Sequence, residues 1–424
     1  MPRADALLVT NCGQLLTLRG PAHPRAGSDM TELGLIRHGA VLMVGGSVRV
    51  VGTEARVGRA PEARRAVRVD AQGRVVMPGF VDSHTHALYP APRVEEYAAR
   101  IGGASYETIA RAGGGIQASA RRLRLTSEAA LRRHLQRVLP LFLQHGTTTV
   151  EVKSGYGLDP QQEEKMLRAI SSTDARLPLD VIPTLLIQDI PERMKHRRAD
   201  LLTHVTSRLI PAVARRRLAT FCDVFCDHGY FSVPEARAIL TAAARAGLQL
   251  KMHAEQLHHS GAARLAAELH AVSIEHADHV TSADIRRLRR AGTIATLLPG
   301  SNFHLGWATY APARALIAGH VPVALATNFN PGTSPTVNMQ IILSLACSQM
   351  RMSPAEAVTA ATINGAYAAG VGDRVGSLEA GKQGDLIIMD VSDYREIPYY
   401  FGMNHCRTVV KKGHVVWERG MTSF

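Results

Sequence analysis

Residues 78–86 read Pro78-Gly79-Phe80-Val81-Asp82-Ser83-His84-Thr85-His86, an apolar run ending in two histidines at i and i+2. Side chains alternate along a strand, so both imidazoles project to one face. A single histidine at such a place reads as a hydrogen-bonded core residue. Two on one face at a strand's end read as a metal site, because neutral imidazole is a common ligand for zinc and iron. Parallel barrels carry their chemistry at the C-terminal ends of their strands, so this pair also points to a fold.

Beyond this stretch, short apolar runs recur at intervals filled by helical periodicity, the alternation of a parallel α/β barrel. The pattern predicts strands near 75–84, 147–153, 180–186, 220–226, 247–253, 271–276, 293–298 and 321–327, the eight that a closed barrel needs. It predicts helices over 127–144, 160–170, 233–246, 282–291 and 354–365, several opening with Ser or Pro at the entry positions. Residues 5–77 instead alternate in short runs such as Val48-Arg49-Val50-Val51, without room for long helices, and the last stretch resumes the pattern with Asp385-Leu386-Ile387-Ile388-Met389. The expected architecture is therefore a (β/α)₈ TIM-like barrel over 78–374, beside a small β-sandwich domain formed by both termini, 1–77 and 375–424. A chain of 424 residues has the length for both.

Histidines recur where this fold would use them. The run Leu248-Gln249-Leu250-Lys251-Met252 ends in His253, and Val272-Ser273-Ile274-Glu275 ends in His276. Each alone reads as structural; with His84 and His86 they would converge from strands one, five and six on the barrel mouth, as a hydrolytic metal centre requires. His228, His258, His259 and His279 lie near loops and read as background.

The net charge of +13 comes from arginines on amphipathic helices, such as Arg215 to Arg217, and reads as a solvated exterior able to attract an anionic small molecule. A nucleic-acid partner would call for aromatic interleaving or a binding motif, and neither is found. The five cysteines, Cys12, Cys222, Cys226, Cys347 and Cys406, are odd in number and scattered, which reads as reduced thiols. With no apolar leader and no run of about 18 apolar residues, no membrane association is expected, and the expected compartment is the cytoplasm.

The H-x-H strand, His253, His276 and the tail Gly376-Ser377-Leu378-Glu379-Ala380-Gly381-Lys382-Gln383-Gly384-Asp385-Leu386 resemble the amidohydrolase superfamily. Four further segments narrow the likeness: Ala112-Gly113-Gly114-Gly115-Ile116, Glu151-Val152-Lys153-Ser154-Gly155-Tyr156-Gly157-Leu158, Lys251-Met252-His253-Ala254-Glu255-Gln256 and Asn328-Phe329-Asn330-Pro331-Gly332-Thr333-Ser334-Pro335. Together they resemble the imidazolonepropionases, over essentially the whole chain. The resemblance implies one metal ion, zinc or iron, on His84, His86, His253 and Asn328, and catalytic roles for His276 and Asn328. It places substrate contacts on Arg93, Tyr156, Gln256, Asn330, Gly332 and Thr333, with Arg93 clamping a propionate. The implied reaction is hydrolysis of the cyclic amide 4-imidazolone-5-propanoate to N-formimidoyl-L-glutamate, in histidine degradation, by a homodimer.

The sequence departs from that family at two places. Ala326-Thr327-Asn328-Phe329 carries asparagine where the family has aspartate, and an amide cannot accept the proton a carboxylate would take. After strand three, Thr184-Leu185-Leu186-Ile187-Gln188-Asp189-Ile190-Pro191 replaces a glycine-alanine-histidine segment whose histidine contacts substrate. Three readings stay open: the family reaction with His276 or Asp189 moving the proton, hydrolysis of a different cyclic amide, or a catalytically impaired relative that retains ligand binding. Lys153, on strand two, reads as a structural ion pair rather than a carboxylated metal bridge.

Overall fold

The computed structural model describes residues 5–104, 108, 113–173 and 177–420. Ala112 of the glycine-rich segment lies outside them. Two sheets organise the chain. Strands β1 (Ala6–Leu16), β2 (Leu35–Val44), β3 (Ser47–Thr53), β4 (Val67–Asp70) and β5 (Val75–Pro78) come from the N-terminal part. They join β14 (Leu386–Met389), β15 (Cys406–Lys411) and β16 (His414–Glu418) from the C-terminal part in one mixed sheet, ordered β16-β15-β14-β5-β1-β2-β3 with β4 on β1. The two ends of the chain meet where β5 and β14 pair antiparallel, Val76 opposite Ile388. The longest helical stretch among the described residues between β1 and β5 is five residues, as the sequence pattern requires.

The second sheet is parallel throughout and runs in chain order: β6 (Phe80–Asp82), β7 (Thr147–Lys153), β8 (Asp180–Ile187), β9 (Phe221–Cys226), β10 (Gln249–Ala254), β11 (Ser273–His276), β12 (Ile294–Leu297) and β13 (Val323–Leu325). The ring closes beyond the short ends of β6 and β13. There the Asn328 N–H donates to the His84 carbonyl at 3.0 Å and the His86 N–H to the Phe329 carbonyl at 2.9 Å. Asp82 reinforces this seam by accepting from the Thr327 N–H at 3.1 Å and the Thr327 hydroxyl at 2.5 Å.

Two expected elements are divided. The strand expected over 75–84 breaks at Gly79, with β5 belonging to the terminal sheet and β6 to the barrel. A side chain at Gly79 would run into Thr148 of the adjacent strand, so the crossing between sheets needs glycine. The helix expected over 354–365 is Pro354–Ala360 followed by a separate Ile363–Ala368. The Ala361 carbonyl accepts from the Val81 N–H at 2.9 Å, and the Thr362 backbone leaves the helical region between the two pieces. The other helices start at their caps: Ser127, Asp159 and Thr281 accept hydrogen bonds from first-turn N–H groups, and Ser232 pairs with Glu235 in a capping box.

Candidate active site

Inside the barrel the strands carry charge where apolar side chains would be usual. Glu151 and Lys153 on β7, Asp223 on β9, Lys251 on β10 and Glu275 on β11 are all shut off from solvent. Lys153 Nζ lies 3.0 Å from Glu151 and 2.8 Å from Asp223, while Lys251 Nζ lies 3.3 Å from Glu151, 3.4 Å from Glu275 and 3.0 Å from the Ser83 carbonyl. Burial opposes charge on Lys153, but Asp223, Glu151 and Glu275 outweigh it and hold its pKa above the ordinary lysine value. Lys153 is thus an ion-pair member. The set holds one more carboxylate than ammonium, a residual negative charge beneath the histidines that favours a cation above it.

Two of those carboxylates reach up to histidines. Glu275 Oε2 hydrogen-bonds His84 Nδ1 at 2.7 Å, whereas Asp223 accepts from the His253 backbone N–H at 3.1 Å and places its Oδ2 3.0 Å from Nδ1 outside hydrogen-bond geometry. A carboxylate on one ring nitrogen fixes the imidazole's orientation and turns the other nitrogen outward. In His84 that other atom, Nε2, is buried with no hydrogen-bond partner. Potential ligand atoms of His84, His253 and His276 all lie within 4.8 Å of one another. His86 borders this group, its ring centroid 5.2 Å from that of His84 and 5.7 Å from that of His253. Burial pushes the pKa values of His84, His86 and His276 down, which favours the neutral, ligating form.

Asn328 is tied to His84 through the seam, where its N–H donates to the His84 carbonyl. Its backbone takes a left-handed conformation, φ 50°, its Nδ2 donates to Ser301 Oγ at 2.7 Å, and its Oδ1 is buried without a partner. Orphaned acceptors on His84 and Asn328, with His86 Nδ1 and His276 Nδ1 in the same condition, are costly unless a cation or a donor lies among them. The residues present fit a metal ion.

The expected substrate contacts divide into groups. Tyr156 is buried with its ring 6.0 Å from His86. Its loop is held by Glu163, which accepts from the Gly155 N–H at 2.6 Å and the Leu158 N–H at 2.7 Å. Asn330 spends its side chain on its own turn, donating to the Asn328 carbonyl and accepting from the N–H groups of Gly332 and Thr333 at 2.8 and 2.7 Å. A Cβ at Gly332 would come within 2.5 Å of an Arg93 guanidinium nitrogen, so the missing side chain makes room for Arg93. Arg93 is paired with Glu96. Gln256 is half-buried on the turn after β10. Asp189, just after β8, accepts from Gln117 Nε2 at 3.0 Å.

A sequence profile of the amidohydrolase family matches residues 75–416. Over 417 residues the chain is 43% identical to the imidazolonepropionase of Solibacter usitatus (strain Ellin6076), covering 98% of this chain and 99% of that one. The chain belongs to the imidazolonepropionase family of amidohydrolases. It is also 44% identical over 418 residues to the imidazolonepropionase of Geobacillus kaustophilus (strain HTA426), with 98% of each covered. Among solved structures, this amidohydrolase shares its fold with E. coli guanine deaminase at a TM-score of 0.72 and 18% identity, covering 98% of this chain and 99% of that one. It likewise resembles an adenosine deaminase from Xanthomonas campestris with bound zinc, at a TM-score of 0.68 and 18% identity, covering 96% and 92%. Among the described residues of this amidohydrolase, no helix is long and apolar enough to cross a membrane.

The supporting groups Asp82, Glu151, Asp223, Glu275 and Ser301 are absent from the expected site. For four of them a signal existed, namely charged residues embedded in apolar, strand-like runs.

Proposed function

We propose that this amidohydrolase opens the ring of 4-imidazolone-5-propanoate, a small anionic cyclic amide, to N-formimidoyl-L-glutamate. Water adds to the ring carbonyl carbon, the carbon–nitrogen bond breaks, and the ring nitrogen leaves with a proton. The observation that carries this reading is the convergence of His84, His253 and His276, with Nε2 of His84 and Oδ1 of Asn328 buried and unpartnered and Tyr156 beside His86.

His84, His86, His253 and Asn328 would hold one ion, zinc or iron, with His276 beside them. Such an ion supplies Lewis-acid polarisation of the amide carbonyl and an acidified water. The protein's own residues do the rest. His276, kept neutral by burial, offers Nδ1 to hold the proton that Asn328 cannot take. Arg93 clamps the propionate, in the space that Gly332 leaves open. Tyr156 and Gln256 hydrogen-bond the ring, while Asn330 and Thr333 shape the turn under it. The catalytic unit spans 78–374, it works as a homodimer in the cytoplasm, and no nucleic acid takes part.

Asn328 and the altered segment 186–191 favour a second reading, in which a different cyclic amide is hydrolysed or ligand binding persists without turnover. One experiment separates these. Metal content and imidazolonepropionate hydrolysis are measured on the native chain and on Asn328→Asp. Native turnover with about one metal per chain is the expected result. An inert native chain with an active Asn328→Asp variant means an impaired enzyme, and two inert, metal-loaded proteins mean a different substrate or none.

A further inference from the structure

We infer that Ser301 is a positioning residue that accepts from the Asn328 NH₂ group and so supports the orientation in which the amide oxygen is the free end. The inference rests on the reading that Asn328 is a metal ligand. A carboxylate at position 328 would present an oxygen in either of its two flipped orientations. An amide would not, because a half-turn about its last bond exchanges an acceptor for a donor whose protons repel a cation. An asparagine here therefore needs an acceptor on its nitrogen, a requirement that an aspartate would not impose.

Ser301 meets that requirement. It is shut off from solvent, and its Oγ accepts from Asn328 Nδ2 at 2.7 Å, while Asn328 Oδ1 is buried without a partner. Ser301 lies on the short helix Pro299–Leu305 that follows β12, next to β13, beyond whose end Asn328 lies. That helix is pinned by its next residue, whose Nδ2 donates to Asp278 Oδ1 at 3.0 Å and to the Thr309 carbonyl at 2.7 Å. The helix that carries Ser301 is thus held in place by contacts that do not involve position 328.

The test is zinc affinity, measured by competition with a chromophoric chelator on the full chain. The proteins are native, Ser301→Ala, Asn328→Asp, the double variant, Ser301→Thr and Asn328→Ala. Ser301→Ala is expected to weaken zinc binding about 10- to 100-fold in the native background, the range for losing a group that orients a ligand. In the Asn328→Asp background the loss is expected to stay below about threefold, and Ser301→Thr, which keeps the hydroxyl, is expected to bind as the native chain does. Equal losses in both backgrounds would show that Ser301 only supports the fold, and an unaffected Ser301→Ala would show no orienting role; either overturns the inference. Unchanged zinc affinity in Asn328→Ala would instead remove Asn328 from the ligand set, a failure of the underlying reading that the Ser301 variants alone do not produce.

Discussion

Glu275 Oε2 lies 2.7 Å from His84 Nδ1, and neither side chain reaches solvent. The same carboxylate accepts from Ser273 Oγ at 2.6 Å and faces Lys251 Nζ at 3.4 Å, so it joins the charged floor of the barrel to the first histidine of the H-x-H pair. Replacing it with alanine would remove the group that orients His84 and leave Lys251 with less compensation. Glu275→Ala is expected to weaken metal retention about 10- to 100-fold and to cost about 3–5 kcal/mol of stability. Metal content after dialysis and denaturant unfolding measure the two effects, and an unaltered metal content would show that His84 needs no such partner.

Metal removal itself is expected to destabilise the fold, because the histidines and Asn328 come from the ends of four different strands or the segments just beyond them. A ligand at a thousand times its dissociation constant stabilises by about 4 kcal/mol. Chelator-stripped protein should therefore unfold at a lower temperature, recover on addition of zinc, and show no recovery in a His253→Ala variant. Equal melting curves with and without zinc would count against a bound ion.

Gly332 and Arg93 form a steric pair, since a Cβ at 332 would press on the guanidinium. Gly332→Ala should displace the Arg93 guanidinium and, on the proposed role of Arg93 as the propionate clamp, raise KM for imidazolonepropionate about tenfold with a smaller change in kcat; a charge-assisted hydrogen bond is worth about 1.5–3 kcal/mol. A kcat effect with KM unchanged would place Arg93 outside the binding shell.

Lys411 couples the two sheets. Its Nζ donates to the Thr148 carbonyl at 2.8 Å, to Asp180 at 2.9 Å and to Asp385 at 2.7 Å. Burial pushes the Asp180 carboxyl up, but Lys411, Gln383 and Lys412 outweigh it and hold it down at about 2, against an ordinary 3.8. A depressed carboxylate contributes stability that is present above its unfolded pKa and lost as pH falls through the folded one. The contribution, roughly 2 kcal/mol, should be complete above about pH 5 and fade between about pH 4 and 2. Lys411→Met should be less stable than the native chain at pH 7, with the gap narrowing below pH 4. A gap independent of pH would assign the loss to packing alone.

Much of this was legible in the chain before folding. Period-two alternation at both ends and strand–helix alternation between them determined the barrel and the terminal sheet, because hydrophobic burial imposes those periods on any sequence that adopts the elements. The histidines of 84, 86, 253 and 276 were legible because they end apolar runs, and strand ends in a parallel barrel meet at one mouth. Gly79 and Thr362 were not read as breaks, since what stops each element is a neighbour distant in sequence: Thr148 in one case and the Val81 N–H in the other.

Residue types and their order along the chain, then, determined the architecture, the histidine cluster and an uncharged amide at 328. Only the tertiary structure decided which groups stand behind those residues. Glu275 with His84, Asp223 with His253 and Ser301 with Asn328 are pairs separated by 191, 30 and 27 positions. Nothing local in the sequence specifies such a pairing, because a hydrogen bond acts over about 3 Å and only closure of the barrel brings those strands to that distance.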